Sequence, residues 1–488
     1  MFEKYKKVLK KDYDVWYQEN REYRDKVAKD PRRLQFHLMP ETGWLNDPNG
    51  LCQFHGTYHI FYQYTPFEPT GELKMWAHCT TKDFVHYRDY GPVLFPDQDF
   101  DAHGVYSGSA FVEDDTIYFY YTGNVKYFDR DDYDYINSGR GSNTVMFTSR
   151  DGYEFSEKKL LMTTDDYPED ISNHVRDPKI FKHDGKYYMV LGARDHSDRG
   201  LVLLYQSEDL NHWEYFDRIT TEEPFGYMWE CPDLFEIDGQ LILTCCPQGV
   251  EPQGFEYHNP HQAAAMKLTY DFDTKESKIE DIKLIDRGFD FYAQQTFEDE
   301  QGRRILIGWM GIPDADYTNP TTEDGWQHAL TIPRQISLRD GKFIQEPIEE
   351  LRKLRCGGTK MAEFDGKEKK ICDDVVYEAI VEYNKCENMG MTLREGITLS
   401  YEDHVLTLDL GDYGAGRTKR QVRLESLEQL QIFADTSSLE IFVNHGEEVF
   451  TTRIYSLKGE ISIQGECEGM MTIYPLKSFL IEGGCNEK

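Results

Sequence analysis

The 488 residues are enough for two or three domains and a large core. With 88 Asp and Glu against 54 Lys and Arg, the formal net charge of −34 repels phosphate backbones and anionic membrane surfaces, so neither nucleic acid nor a membrane is an expected partner. The ten cysteines form no CxxC pair and no Cys/His set at zinc-ligand spacing, so reduced thiols are expected, and neither a metal nor any other cofactor.

The chain starts MFEKYKKVLKKDYDVWYQEN, basic at first but without an apolar run of signal-peptide length, and nothing in the sequence is apolar for long enough to span a membrane. The expected location is therefore the cytoplasm. Tyr5, Val8, Leu9, Tyr13, Trp16 and Tyr17 recur at helical spacing. They predict a short amphipathic helix, within residues 1–34, that lies against the main body.

From about residue 35 one unit recurs five times. A turn leads into an aromatic-rich run at HGTYHIFYQY, DDTIYFYYTG, DGKYYMVLGA, DGQLILTCCP and QGRRILIGWM, with turn positions at Gly56, Asp115, Gly185, Gly239 and Gly302. Each is preceded by a short apolar segment: DPNGLCQF, YSGSAFVE, RDPKIFKH, CPDLFEID and AQQTFEDE. Each pair reads as two strands joined by a tight turn. Further strand-like stretches such as MWAHCTTKDFVHYRD and GLVLLYQSEDLNHWEYF bring the unit to about four strands, which is the size of a propeller blade. The prediction is an all-β chain whose residues 35–350 form a five-bladed β-propeller. Beyond Leu354 the pattern changes to short alternating strands such as VVYEAIVEY and EQLQIFADTSSLEIFVN, which predict a C-terminal β-sandwich over 360–485.

The first strand of each blade lines a propeller's central channel. Aligning the repeats on their turns puts Asp47 (WLNDPNG), Asp177 (VRDPKIF) and Glu230 (WECPDLF) on such strands, with Pro48, Pro178 and Pro232 as equivalent positions. Three separate stretches thus deliver carboxylates to one mouth. Acetal hydrolysis with retention needs one carboxylate nucleophile and one protonated acid for the leaving oxygen. Asp47, short and flanked by Asn46 and Asn49, suits the nucleophile. Glu230, beside Trp229 and Cys231, has the more apolar setting and suits the acid/base, its proton held by burial and mutual repulsion. Arg176 is expected to keep Asp177 ionised, so that it can accept hydrogen bonds from sugar hydroxyls.

These motifs make the chain resemble glycoside hydrolase family 32, the β-fructofuranosidases. WLNDPNG is similar to the family's nucleophile box, FYQYTPF to its Gln-bearing strand, YSGSA to its F/Y-S-G-S-A box, RDPK to its R-D-P box and ECPD to its E-C box. MWAHCTT carries Ala77 where the family has Gly in W-G-H, and FYAQQT carries Gln294 where the family has Pro or Ala. The resemblance implies a propeller plus sandwich. It also implies retaining cleavage of terminal non-reducing β-D-fructofuranosides, by Asp47 as nucleophile, Glu230 as acid/base and Asp177 as transition-state stabiliser. Trp44, Leu45, Asn46, Gln63, Trp76, Tyr106, Ser107 and Arg176 are implied at the fructose subsite, with Trp76 covering the sugar's apolar face. Within the family, PQGVEPQGFEYHNPHQ and GWMGIPDADY are most similar to bacterial sucrose and sucrose-6-phosphate hydrolases. A small sugar is the expected partner, with free sucrose, its 6-phosphate and short fructans all open, and a homo-oligomer neither required nor excluded. The acidic overall charge does not favour a phosphorylated sugar, so any phosphate selectivity has to be local. The Asp- and Tyr-rich segment YFDRDDYDYINSGRGSN, 127–143, is placed at the channel mouth, either as a specificity loop or as a solvated surface loop. An inverting five-bladed glycosidase and a non-catalytic sugar-binding propeller are the readings from other classes.

Overall fold

The computed structural model describes residues 7–483. Tyr5 of the predicted helix and Cys485 lie outside the described residues. The N-terminal segment forms two helices where one was expected, Lys10–Glu19 and Arg21–Val27. The Asp12 carboxylate accepts the Leu9 N–H at 2.9 Å and so caps the first. Val8, Tyr13 and Tyr17 are buried against Met75 and Phe95 of blade one, whereas Leu9 faces solvent.

Five sheets form the blades. Their innermost strands are Gly43–Phe54, Val105–Glu113, Ile171–His183, Met228–Ile237 and Tyr292–Glu298. Each pairs antiparallel with the aromatic-rich strand across the predicted turn. At His55–Gly56, Asp184–Gly185 and Asp238–Gly239 two successive residues take positive φ, the backbone of the tight hairpin turn that matches strand twist. Apolar wedges separate neighbouring blades. Phe61, Trp76, Phe119 and Phe147 fill the space between blades one and two, and Val190, Trp229 and Leu243 that between blades three and four. The ring closes where Trp326–Gln327 pairs in parallel with Gly43 and Trp44.

The C-terminal strands form two six-stranded sheets over a core that includes Leu399, Leu408, Ile432, Ile441 and Ile473. The last described strand, Leu480–Gly483, leaves this sandwich and pairs in parallel with the outer strand of blade one, His86–Leu94. No helix among the described residues is long and apolar enough to cross a membrane. The nine described cysteines are all free thiols.

Propeller and sandwich meet across a buried charge cluster. His37 sits between Asp435 (2.8 Å) and Glu440 (3.0 Å), and Glu440 also accepts from Arg334 (2.7 Å), all fully enclosed. Burial opposes a charged imidazole here, but the bonds to Asp435 and Glu440 outweigh it and push His37 up to about 9. The folded state therefore holds a proton that the unfolded chain releases near 6.5. Stability from this group is fully present below pH 6.5 and is lost as pH rises through 9. Wild-type protein should lose about 3 kcal/mol of unfolding free energy over that window. His37→Gln should lose that slope in denaturant titrations between pH 6 and pH 9.5. Parallel curves for the two proteins would refute the assignment.

Candidate active site

All five inner strands carry the same irregularity. Pairing with the second strand is interrupted between Leu45 and Pro48, Val105 and Gly108, Arg176 and Lys179, Glu230 and Asp233, and Tyr292 and Gln295, in each case with one extra residue on the inner strand. Such a bulge bends the strand and re-aims its side chains. The three acids occupy successive positions at the entry to and inside this bulge. Glu230 is the last paired residue before it, Asp177 its first residue and Asp47 its second. This corrects the alignment on prolines, because Pro48 is already back in register opposite Tyr62 whereas Pro178 and Pro232 lie inside their bulges. Asp177, Cys231 and Ala293, each first in its bulge, have φ of 63°, 49° and 50°, the left-handed conformation that glycine usually supplies.

Asp47 is held on both oxygens. Asn46 Nδ2 donates to Oδ1 at 3.0 Å, and the Ser107 hydroxyl and the Cys231 thiol (3.9 Å) donate to Oδ2. Gln63 ties these donors together, accepting from Asn46 and donating to Ser107 Oγ at 2.8 Å. Asn49 Nδ2 fixes the Asp47 carbonyl at 3.0 Å, and its own Oδ1 accepts the Gly108 N–H at 2.9 Å, so blade two is pinned to the same strand. Gly108 has to be glycine, because a Cβ would lie 1.9 Å from the Tyr120 carbonyl oxygen. Trp44, half-buried, donates its indole N–H to Asn46 Oδ1 at 2.8 Å and packs on His328 with ring centroids 4.3 Å apart. Burial pushes the Asp47 carboxyl above the usual carboxylate range and the Glu230 charge adds to this, against the Ser107 and Asn46 hydrogen bonds.

Glu230, 9% exposed, is gripped from three blades. Tyr292 OH donates to Oε2 at 2.8 Å, Gln248 Nε2 to the same oxygen at 2.9 Å, and Arg176 Nη1 to Oε1 at 3.0 Å. Asp177, 5% exposed, accepts the Cys231 N–H at 2.8 Å, and its own N–H bonds Thr122 Oγ1 at 2.9 Å. The expectation that Arg176 keeps Asp177 ionised is corrected. The guanidinium bonds Glu230, and burial followed by the Glu230 charge pushes Asp177 up to about 7 despite Arg176. Burial and the nearby Glu230 charge thus act in the same direction on Asp47 and Asp177, favouring the protonated form of each.

Asp47, Asp177, Glu230, Asn46, Gln63, Ser107, Arg176 and Trp44 lie together at one mouth, and Tyr106 is within electrostatic reach of Arg176 and Glu230. Two predicted residues do not join them. Trp76 is fully buried among Phe61, Tyr121 and Phe147, and it touches the site only by donating its indole N–H to the Tyr106 carbonyl at 3.1 Å. It is core filler between blades and covers no sugar face. Leu45 is likewise fully buried, in the apolar core of blade one. Gln294, the departure from the family box, is buried in blade five and donates to the Cys245 carbonyl at 3.3 Å.

Sequence reasoning missed three residues. Tyr292 and Gln248 hold Glu230, and Tyr292 was within reach, because it occupies in FYAQQT the register position that Glu230 occupies in WECPD. Lys74 carried no motif signal. Its ammonium lies 4.7 Å from the Trp44 ring centroid, and burial, opposed by the Asp47 charge, pushes it down to about 7.

Comparison with known proteins agrees with this arrangement. The description "Glycosyl hydrolases family 32 N-terminal domain" matches residues 37–347, and "Glycosyl hydrolases family 32 C terminal" matches 378–470. A sucrose-6-phosphate hydrolase of Bacillus subtilis is 37% identical over 456 residues, covering 90% of this chain and 92% of its own. One from Staphylococcus xylosus is 36% identical over 477 residues, covering 94% of each. Among solved structures, a sucrose-6-phosphate hydrolase from Lactobacillus gasseri superposes with a TM-score of 0.86 at 28% identity, covering 98% of this chain and 99% of its own. A Bombyx mori GH32 beta-fructofuranosidase gives 0.82 at 29%, covering 96% of this chain and all of its own. With the family descriptions covering both the propeller and the sandwich, the chain belongs to glycosyl hydrolase family 32.

Proposed function

We propose that this chain hydrolyses sucrose or sucrose 6-phosphate, releasing fructose and glucose or glucose 6-phosphate with retention at the fructose anomeric carbon. The observation that carries the reading is the pair of differently held carboxylates across one mouth. Asp47 is clamped by short donors on both oxygens, and Glu230 is held by Tyr292, Gln248 and Arg176. Asp47 attacks the anomeric carbon while Glu230 gives its proton to the glycosidic oxygen, and the leaving sugar departs. Glu230 then takes a proton from water, which attacks the fructosyl–Asp47 ester and regenerates the carboxylate. Asp177 accepts hydrogen bonds from ring hydroxyls as positive charge develops. Asn46, Gln63 and Ser107 bracket the polyol, and Trp44 supplies the apolar wall.

The relatives support this reading: the Bacillus and Staphylococcus proteins are named sucrose-6-phosphate hydrolases, and a mutant of the Bombyx enzyme has been solved in complex with sucrose. The segment leading to Arg140 favours a disaccharide over a long fructan. It is tied to blade three through Asn173 N–H to Ile136 O at 3.0 Å, beside the strand that bears Asp177. The catalytic unit in this reading is 35–350, flanked by the units 1–34 and 360–485, whose described residues pack against it through Tyr13 and Tyr17 and through Asp435. The site of action is the cytoplasm, where a charged sugar phosphate is retained.

Running the reaction in the presence of methanol tests the stereochemistry. The intercepted product should be methyl β-D-fructofuranoside alone. Methyl α-D-fructofuranoside as the initial product would mean inversion and would sink the two-step scheme.

A further inference from the structure

Around Arg176, which holds Glu230, a second group of side chains converges. Arg140 opens the third strand of blade two, at the end of the Asp- and Tyr-rich segment, and is 1% exposed. Its Nη2 donates to the neutral Asn124 amide oxygen at 2.9 Å, and its guanidinium lies 4.3 Å from the Tyr135 ring centroid. Nε and Nη1 of Arg140, Nε and Nη2 of Arg176 and Nδ1 of His174 are buried without a hydrogen-bond partner in the protein. The His174 ring stands edge-on to Tyr135 at 6.0 Å.

Two buried guanidiniums within electrostatic reach of one another are an unfavourable arrangement in isolation. Burial, and then the Arg176 charge, push Arg140 down to about 10. Burial works against ionising Tyr135, yet the Arg140 and Arg176 charges outweigh it and pull that phenol below its usual range. Glu230, the carboxylate whose charge reaches Arg140, spends its Oε1 on Arg176. Two of the four acids of the neighbouring loop are engaged elsewhere: Asp132 pairs with Arg130 at 2.8 Å, and Asp134 caps its own turn through Ile136 N–H at 2.8 Å. In a chain with 88 acidic residues, the lack of a carboxylate partner for this arginine marks the place where an anion from outside belongs.

The geometry points to an anion subsite formed by Arg140 with Arg176 and His174 under Tyr135, which takes the phosphate ester of the leaving sugar. This rests on the fructosidase reading above, and it chooses sucrose 6-phosphate over free sucrose. Arg140 is the specificity-determining residue: its fork offers two donors suited to phosphate oxygens. The segment 127–139, closed by Tyr127 N–H to Gly139 O at 2.8 Å, is then the specificity loop that sets Tyr135 over that fork.

Two measurements test this. By calorimetry, wild-type protein should bind glucose 6-phosphate at least about tenfold more tightly than glucose. In kinetics, the ratio of kcat/KM for sucrose 6-phosphate to that for sucrose should fall by about 100-fold in Arg140→Gln, with Arg140→Lys in between. Equal binding of the two glucose compounds, or an unchanged ratio in Arg140→Gln, overturns the proposal. If wild-type protein cleaves neither sugar, the fructosidase reading fails, while the calorimetry still decides the anion subsite. If Arg140→Gln does not fold, the wild-type calorimetry alone decides it.

Discussion

Asp47→Asn should yield a folded protein whose kcat on sucrose or its 6-phosphate is lower by at least about 10⁴-fold. An amide cannot form the fructosyl ester, so the loss falls on the chemical step and KM should change little. The fold should survive for a stated reason. Burial already disfavours the Asp47 charge, so replacing it with a neutral group of the same shape removes a desolvation cost. The Asn46–Gln63–Ser107 chain keeps its internal bonds in the variant. Turnover should be measured beside the thermal melt. A loss under about 100-fold with an unchanged melt would remove Asp47 from the nucleophile role.

Glu230→Gln should separate leaving groups. On sucrose, whose departing oxygen needs a proton, the loss should reach about 10³-fold or more. On β-D-fructofuranosyl fluoride, which needs far less protonation, it should stay within about tenfold for formation of the ester. A second readout follows from the charges. Glu230 raises both Asp47 and Asp177. Without its charge both acids ionise at lower pH, so the acidic limb of kcat/KM on the fluoride should move down relative to wild type. Equal losses on both substrates, with an unmoved limb, would assign Glu230 some other task.

The architecture was legible because each blade announces itself twice, in a turn residue that tolerates positive φ and in the aromatic run that follows. Gly56, Gly185 and Gly239 head strands that the structure confirms. What the sequence hides is the bulge. The single extra residue of this bulge carries no composition signal, so aligning Pro48 with Pro178 shifted Asp47 by one place. Trp76 and Leu45 were misread for a related reason. Side chains alternate across a strand, and a motif does not say which of its residues faces the channel and which the wedge between blades. Lys74 and Arg140 are isolated cations in loop-like sequence. Only tertiary packing reveals that one lies against Trp44 and the other stands beside Arg176 and Tyr135.

Blade one receives Trp326–Gln327 on its inner edge and Leu480–Gly483 on its outer edge. On the ribosome, the strand bearing Asp47 therefore emerges early and waits. Its inner edge stays unpaired until more than 270 further residues have been made, and the outer strand His86–Leu94 waits for more than 380, until Leu480. During that interval both edges are templates for pairing with another chain. Loss of the segment 480–483 would leave the catalytic constellation intact and reopen the outer edge, so its effect should be aggregation of nascent or heated protein, with the activity of what remains soluble little changed.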